Sequence, residues 1–305
     1  MGGLGEWLWD PYQFEFMRRA LASLLIVSVV GSLVGTFVVH KGLAASGSGL
    51  AHATLAGVAI AFVNGVSVAL GALIAAVAAA LGVGFVRRHS RVSYDTAIAI
   101  FFVSAFSLGI LVMSRQSGYT PDLLSFVFGD ILGVSQADLL GELVLAAVVL
   151  LFVLAFYREL VMVAYDPAMA AAAGVPAAFF EYALLALIAA AVVVALQAIG
   201  IVLVSAILII PPATAGLLAQ RLPRIILLAI GFSALASVVG LHLSFHGSVA
   251  TGPAVVLVSA TLFALVLAAT ALRRPRLPAI EDESAVTTVA ASEREAHSKV
   301  GQSPS

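Results

Sequence analysis

Apolar residues run through this chain in blocks rather than in an amphipathic rhythm. Windows of roughly membrane-spanning length cover 20 to 39, 66 to 86, 96 to 113, 139 to 156, 178 to 197, 199 to 219, 224 to 243 and 253 to 272. A helix needs about 20 apolar residues to cross hydrocarbon, so these predict eight full spans. Two shorter apolar stretches, near 50 to 64 and 122 to 136, contain Gly57 or the set Gly129, Asp130 and Gly133. They predict one or two short, broken or re-entrant helices, because irregular backbone at membrane depth survives only where protein or a cavity shields it. The expected fold class is all-α, a polytopic transmembrane helical bundle.

The polar breaks set the organisation. Residues 1–19 carry Trp7, Trp9, Tyr12, Phe14 and Phe16 among Glu6, Asp10, Glu15, Arg18 and Arg19. Aromatic rings beside charges suit the headgroup region, so an interfacial N-terminal segment is expected there, retained rather than cleaved, since no basic start or early apolar core marks a signal peptide. A transmembrane domain follows over 20–275. Residues 276–305 turn to Pro, Glu, Ser, Thr and Lys with no apolar period, which predicts a disordered cytoplasmic tail.

Arginines at 87, 88 and 91, at 158, at 221 and 224, and at 273, 274 and 276 mark cytoplasmic connections by the positive-inside bias. Arg18 and Arg19 prefer the same side, which requires that the 50 to 64 stretch not add a full crossing. Gly31 and Gly35 make a small-xxx-small pair suited to close helix packing.

The longest polar break inside the membrane region, 157 to 177, carries its own punctuation. Asp166 is a good N-cap, Pro167 a good first residue, Met169 to Ala173 a helix-favouring run that includes Ala170 and Ala171, and Gly174 a closing residue before Pro176. A short autonomous helix is predicted. It either turns the chain between spans or receives the push of a soluble motor. The chain has no Gly-x-x-x-x-Gly-Lys-Ser/Thr phosphate loop, so an ATPase would be another subunit and this chain no enzyme.

Composition narrows the chemistry. With 62% hydrophobic and 10% charged residues the protein belongs in a bilayer, as a multi-pass protein of the cell membrane. The absence of cysteine excludes disulfides and thiolate metal sites, and a net charge of −1 gives no case for nucleic acid. Any metal ligand must be His, carboxylate, hydroxyl or carbonyl. His52 sits within an apolar stretch, where an imidazole needs a bundle interior or an aqueous path, so it is the first candidate ligand. His242 and His246, four apart, share a helix face; His246 ranks above His242 as a ligand. Pro211 and Pro212 would interrupt a membrane helix, exposing carbonyls or merely kinking it for packing.

Several ordered segments then carry a resemblance. Gly-Thr-Phe-Val-Val-His-Lys-Gly-Leu at 35–43 leads into Leu-Ala-His-Ala-Thr-Leu-Ala-Gly-Val-Ala at 50–59. Phe-Gly-Asp-Ile-Leu-Gly-Val-Ser follows at 128–135 and Tyr-Asp-Pro-x-x-Ala-x-x-x-Gly at 165–174. The run from Gly200 to Ala215, through Pro211 and Pro212, and Leu-Ser-Phe-His at 243–246 followed by Thr-Gly-Pro at 251–253, complete the set. In this order they resemble the permease subunits of zinc/manganese/iron-type ABC importers, from about Phe16 to Leu272.

The resemblance implies a homodimer seated on two cytoplasmic ATPase subunits that hold the ATP, accepting a divalent metal from an extracytoplasmic binding protein. No cofactor would be bound permanently, and the helix at 166–174 would be the coupling helix. The family often has Asp where this chain has Ser48, four residues before His52, and Asp where it has Ser248, two after His246. Two hard anions are thus missing from the metal route, which Ser48 would line. Imidazole suits zinc and oxygen anions suit manganese, so the expected cargo is zinc, otherwise manganese. The rival readings are an ATP-independent, proton-coupled carrier using Asp130, and a non-transporting membrane scaffold.

Overall fold

The computed structural model of the chain describes residues 10–114, 129 and 131–273. Among the described residues every regular element is helical. After a 3₁₀ turn at Asp10–Gln13 come α1 (Glu15–His40), α2 (Ala44–Val63), α3 (Val68–His89) and α4 (Tyr94–Met113). A second 3₁₀ turn at Ile131–Gly133 precedes α5 (Gln136–Ala155), α6 (Tyr157–Tyr165), α7 (Pro167–Ala172), α8 (Ala177–Leu218), α9 (Leu222–Gly247) and α10 (Thr251–Arg273). Two units divide the chain, Met1–Leu267 and Ala268–Ser305. The first contains the packed bundle, and the described part of the second is the end of α10. The expected tail at 276–305 lies outside the described residues, as does most of the 122 to 136 stretch.

Among the described residues seven helices are long and apolar enough to cross a membrane: α1, α3, α4, α5, the first part of α8 (Ala177–Leu196), α9 and α10. The eighth expected span, 199 to 219, is instead the second half of α8, where Val202–Leu218 forms a shorter apolar helix. Gly200 separates the halves with φ 70° and ψ 165°, a conformation that only glycine adopts without strain. Gly129, also at positive φ, packs directly on this break. A β-carbon there would overlap the Ile199 carbonyl carbon and stand 2.5 Å from the Gly200 nitrogen. Irregular backbone in the bundle is thus shielded by a second glycine.

The break does not fall at the prolines. α8 continues through Pro211 and Pro212 to Leu218. Proline lacks the N–H that would bond the carbonyl four residues back, so Pro212 leaves the Leu208 oxygen without its helical donor. Gly35 of α1 lies against that oxygen, and Gly31 against Ile207, so the small-xxx-small pair is the floor on which this stretch of α8 rests. The Thr214 hydroxyl donates to the Ile210 carbonyl at 2.7 Å in the same turn.

Around the α1–α8 contact, α9 packs on α1 and α8, α5 packs on both, and α2 packs on α3, α4 and α8. Gly57 does not break α2. It meets Gly71 of α3 reciprocally, each glycine's missing side chain making room for the other's carbonyl. A conformational signal in the sequence is here a packing signal.

α1 and α9 run antiparallel. The Ser28 and Ser237 hydroxyls are 3.0 Å apart, and Ser32 donates to the Ala229 carbonyl at 3.2 Å. One end of the bundle therefore gathers Tyr12 with His242 and Phe14 with Phe245. The other gathers Lys41, ion-paired with Glu181 at 3.6 Å, and through the wall shared with Glu181, Arg87 and Arg88. Arg18 and Arg19 thus lie at the end opposite Arg87 and Arg88, contrary to the expectation that they share a side, and α2 is a continuous 20-residue helix. The physical reason is local: Arg19 forms an ion pair with Glu15 one turn away, which weakens the pull of this pair of arginines on the orientation of α1.

Candidate functional site

His52 projects from the middle of α2 between Ala51 and Ala53, both fully buried, and is itself half-buried. The ring of Phe102 on α4 meets it edge-on, with centroids 4.8 Å apart. The neighbouring Thr54 hydroxyl turns back to the Ala51 carbonyl at 2.6 Å and so satisfies itself within the helix. Ser48 lies one turn earlier on α2, and its side chain lies outside the described residues.

The two histidines of α9 have different surroundings. His242 is buried, at 4% exposure; its Nδ1 stands 2.8 Å from the Val238 carbonyl, and Tyr12 packs edge-on at 5.3 Å with its hydroxyl 3.5 Å from the same nitrogen. Burial raises the pKa of the Tyr12 hydroxyl. His242 therefore helps seat the N-terminal turn on the bundle. His246 is exposed at the end of α9, edge-on to Phe245. Ser248 caps that helix in the left-handed region (φ 50°, ψ 39°), while Ser244 donates to the Val249 carbonyl at 2.6 Å and lies 2.7 Å from the Thr251 hydroxyl. This polar knot fixes the α9–α10 turn.

Among the described residues no group of three or more His, Asp or Glu side chains comes together in a way that could hold a metal ion. His52 belongs to the α2–α3–α4 side and His246 to the α1–α9 side. The bundle does not merge them into one centre.

The short helix forms as its punctuation predicts. The Asp166 carboxylate accepts from the Ala168 and Met169 N–H groups at 2.9 and 3.0 Å, satisfying two of the donors that a helix start leaves open. Pro167 is the first residue of α7, and Gly174 takes φ +83° after its end. Ala170 is fully buried and Ala171 exposed, so the two alanines face opposite ways; Met169 is 66% exposed. α6 ties this unit to α1, with Phe37 against Tyr157 and His40 against Tyr165. α7 thus sits at the end of the bundle that carries Lys41 and Glu181.

Sequence reasoning passed over Glu142. It lies in α5 at 1% exposure, both carboxylate oxygens lacking a hydrogen-bond partner among the described residues, with the Ser23 hydroxyl of α1 as a polar neighbour that makes no aligned bond. The signal was present, since an acid inside an apolar window is costly and rarely incidental. Asp130, named as the coupling acid of a carrier, lies outside the described residues. The Lys41–Glu181 pair was also invisible in the sequence; burial lowers the pKa of Lys41, with Glu181 opposing the shift.

Comparison with known proteins places these features. The model of the ABC 3 transport family matches residues 13–270. The manganese transport system membrane protein MntC of Halalkalibacterium halodurans is 41% identical over 83% of this chain and 86% of its own length. A probable iron transport system membrane protein of Haemophilus influenzae is 34% identical over 88% of this chain and 98% of its own. The solved structure of PsaBC from Streptococcus pneumoniae in complex with Fab superposes with a TM-score of 0.78 at 33% identity, covering 87% of this chain and 95% of that one.

These relatives are named for manganese and iron, and they give the expected preference for zinc no support. The physical reason is that two missing carboxylates do not leave imidazole as the only donor. Hydroxyl, carbonyl and water oxygens are equally hard, and selection among divalent metals rests on geometry and availability rather than on ligand count alone. The chain is a multi-pass membrane protein of the ABC 3 transport family, the permeases of ABC metal importers.

Proposed function

We propose that this permease imports a divalent metal, manganese in the first place and iron in the second, in a complex driven by ATP on separate subunits. The observation that carries the reading is the match over residues 13–270 to an ABC family whose similar members are named for those metals. Membership in an ABC family favours this reading over the ATP-independent carrier.

In this reading the end with Arg87, Arg88 and α7 faces the cytoplasm, in keeping with the positive-inside bias, and the N-terminal turn faces the binding protein. α7, with Asp166 as cap, Ala170 as its buried anchor, and Met169 and Ala171 outward, receives the ATPase. A second copy of the chain completes the pathway. His246 stands near the entry and His52 along the route, with Ser48 one turn away. Sparse ligation suits a conduit, since a transported ion must also leave.

The test is uptake into proteoliposomes holding this chain, its ATPase and its binding protein, with manganese, iron and zinc offered singly and in competition. ATP-dependent manganese uptake that falls on His52→Ala is expected. ATP-dependent uptake of zinc alone, or uptake without ATP, would sink the reading. Ser48→Asp adds an oxygen anion one helical turn before His52 and should sharpen the preference for manganese over zinc.

A further inference from the structure

At the Lys41 end of the bundle the last turn of α3, the first turn of α4 and the start of α8 border an open cavity of about 310 Å³, with Pro167 of α7 in its wall. Its polar lining comes from Arg87, Arg88, Tyr94, Glu181 and Tyr182. Its base is apolar, Leu185 lying beside Gly84, where the missing side chain admits the Tyr182 ring against α3.

Charge in this cavity is unbalanced in one direction. Glu181 is matched by Lys41 at 3.6 Å, a lysine whose side chain is only 12% exposed. The Arg87 guanidinium stacks over the Tyr94 ring, 5.0 Å from its centroid. A cation–π contact of this kind uses the ring face and takes none of the guanidinium N–H donors, which are left for an acceptor. Arg87 and Arg88 are both exposed at the cavity rim, and neither has an ion pair among the described residues. Two guanidiniums, two phenols and a partly apolar base describe a receptor for a compact anion carried on an apolar body.

We infer that this cavity is a phosphoryl-binding site, filled by the headgroup of an anionic phospholipid. Guanidinium recognises phosphate oxygens through paired charge-assisted hydrogen bonds. The cavity lies at the ends of three apolar helices, and, on the reading that this end faces the cytoplasm, it joins the basic pockets between helices that recruit anionic lipids from that leaflet. Lys41, 3.6 Å from Glu181, offsets that carboxylate, and the two arginines leave the cavity with an excess of positive charge. Free inorganic phosphate shares the chemistry and is the other possible source.

The experiment is native mass spectrometry of the full-length protein released from nanodiscs, with phosphatidylglycerol or phosphatidylcholine titrated in, and with inorganic phosphate as competitor. The wild-type protein should retain phosphatidylglycerol over phosphatidylcholine, and Arg87→Gln/Arg88→Gln should lose that affinity by on the order of tenfold to thirtyfold. Arg221→Gln/Arg224→Gln, outside the cavity, should lose little. If the first double variant is poorly folded, Arg88→Gln alone carries the test, since its side chain is exposed. Displacement of lipid by millimolar phosphate would keep the site and assign it to the free anion. Equal retention of both lipids, or equal losses in both double variants, would overturn the site in favour of diffuse surface charge.

Discussion

Gly35 lies against the carbonyl oxygen of Leu208, so close that a methyl group on Gly35 would overlap it. That oxygen lost its helical donor to Pro212, so α1 meets α8 tightly at a point where α8 cannot bond itself. Gly35→Ala should therefore lower the thermal unfolding midpoint in detergent by the equivalent of about 1–3 kcal/mol, the cost of overpacking a filled interface. Gly216→Ala, in the second half of α8 and with open space around it, is the control. It should be neutral or stabilising by roughly 0.4–1 kcal/mol. Equal behaviour of the two variants would show that the contact is not needed.

The two alanines of α7 separate docking from folding. Ala171→Asp and Met169→Asp place a charge on the exposed side and should abolish co-purification of the ATPase while leaving the midpoint within about 0.5 kcal/mol of the parent. Ala170→Asp buries a carboxylate and should lose expression altogether. Asp166→Ala removes two capping bonds and should cost about 1 kcal/mol locally. Intact ATPase binding by both surface variants would move the docking site elsewhere.

His52, His242 and His246 should part company in a paired assay of uptake and stability. His242→Ala removes a buried ring that seats Tyr12, so its main effect should be a loss of about 1–3 kcal/mol in stability. His246→Ala, exposed, should leave stability unchanged. His52→Ala should reduce manganese uptake at least tenfold with a smaller loss of stability than His242→Ala. A stable His52→Ala protein with full uptake would remove His52 from the route.

Glu142 makes a prediction of the opposite sign. Its oxygens are buried with no aligned hydrogen-bond partner among the described residues, so Glu142→Leu should hold the unfolding midpoint or raise it by on the order of 1–3 kcal/mol, the cost of an unsatisfied buried polar group. If transport falls while the midpoint rises, the acid is retained for function. A fall in the midpoint would mean that the carboxylate is bonded in the membrane-embedded protein.

The all-helical membrane class, the position of most spans and the Asp166–Pro167–Gly174 helix were legible in the chain, because each depends on interactions within a few residues. Hydrocarbon demands a run of apolar residues with internally bonded backbone, and a cap demands one side chain beside its own N–H groups. The ordered segments from Gly35 to Pro253 were legible for the same reason, as local patterns in sequence.

Tertiary structure alone decided the rest. Gly57 is a site of contact with Gly71 rather than a break, and the break falls at Gly200, where Gly129 can cover it, rather than at Pro211 and Pro212, where α1 supports the freed carbonyl. The end of the bundle to which α1 delivers Arg18 and Arg19 was settled by Ser28 meeting Ser237 and Lys41 meeting Glu181, pairs separated by far more chain than any local pattern spans. The same holds for Arg87, Arg88 and Glu181, which share one cavity only because α3 ends beside the start of α8. A local rule states what a residue can do; which partner it meets is fixed by the joint packing of all the helices.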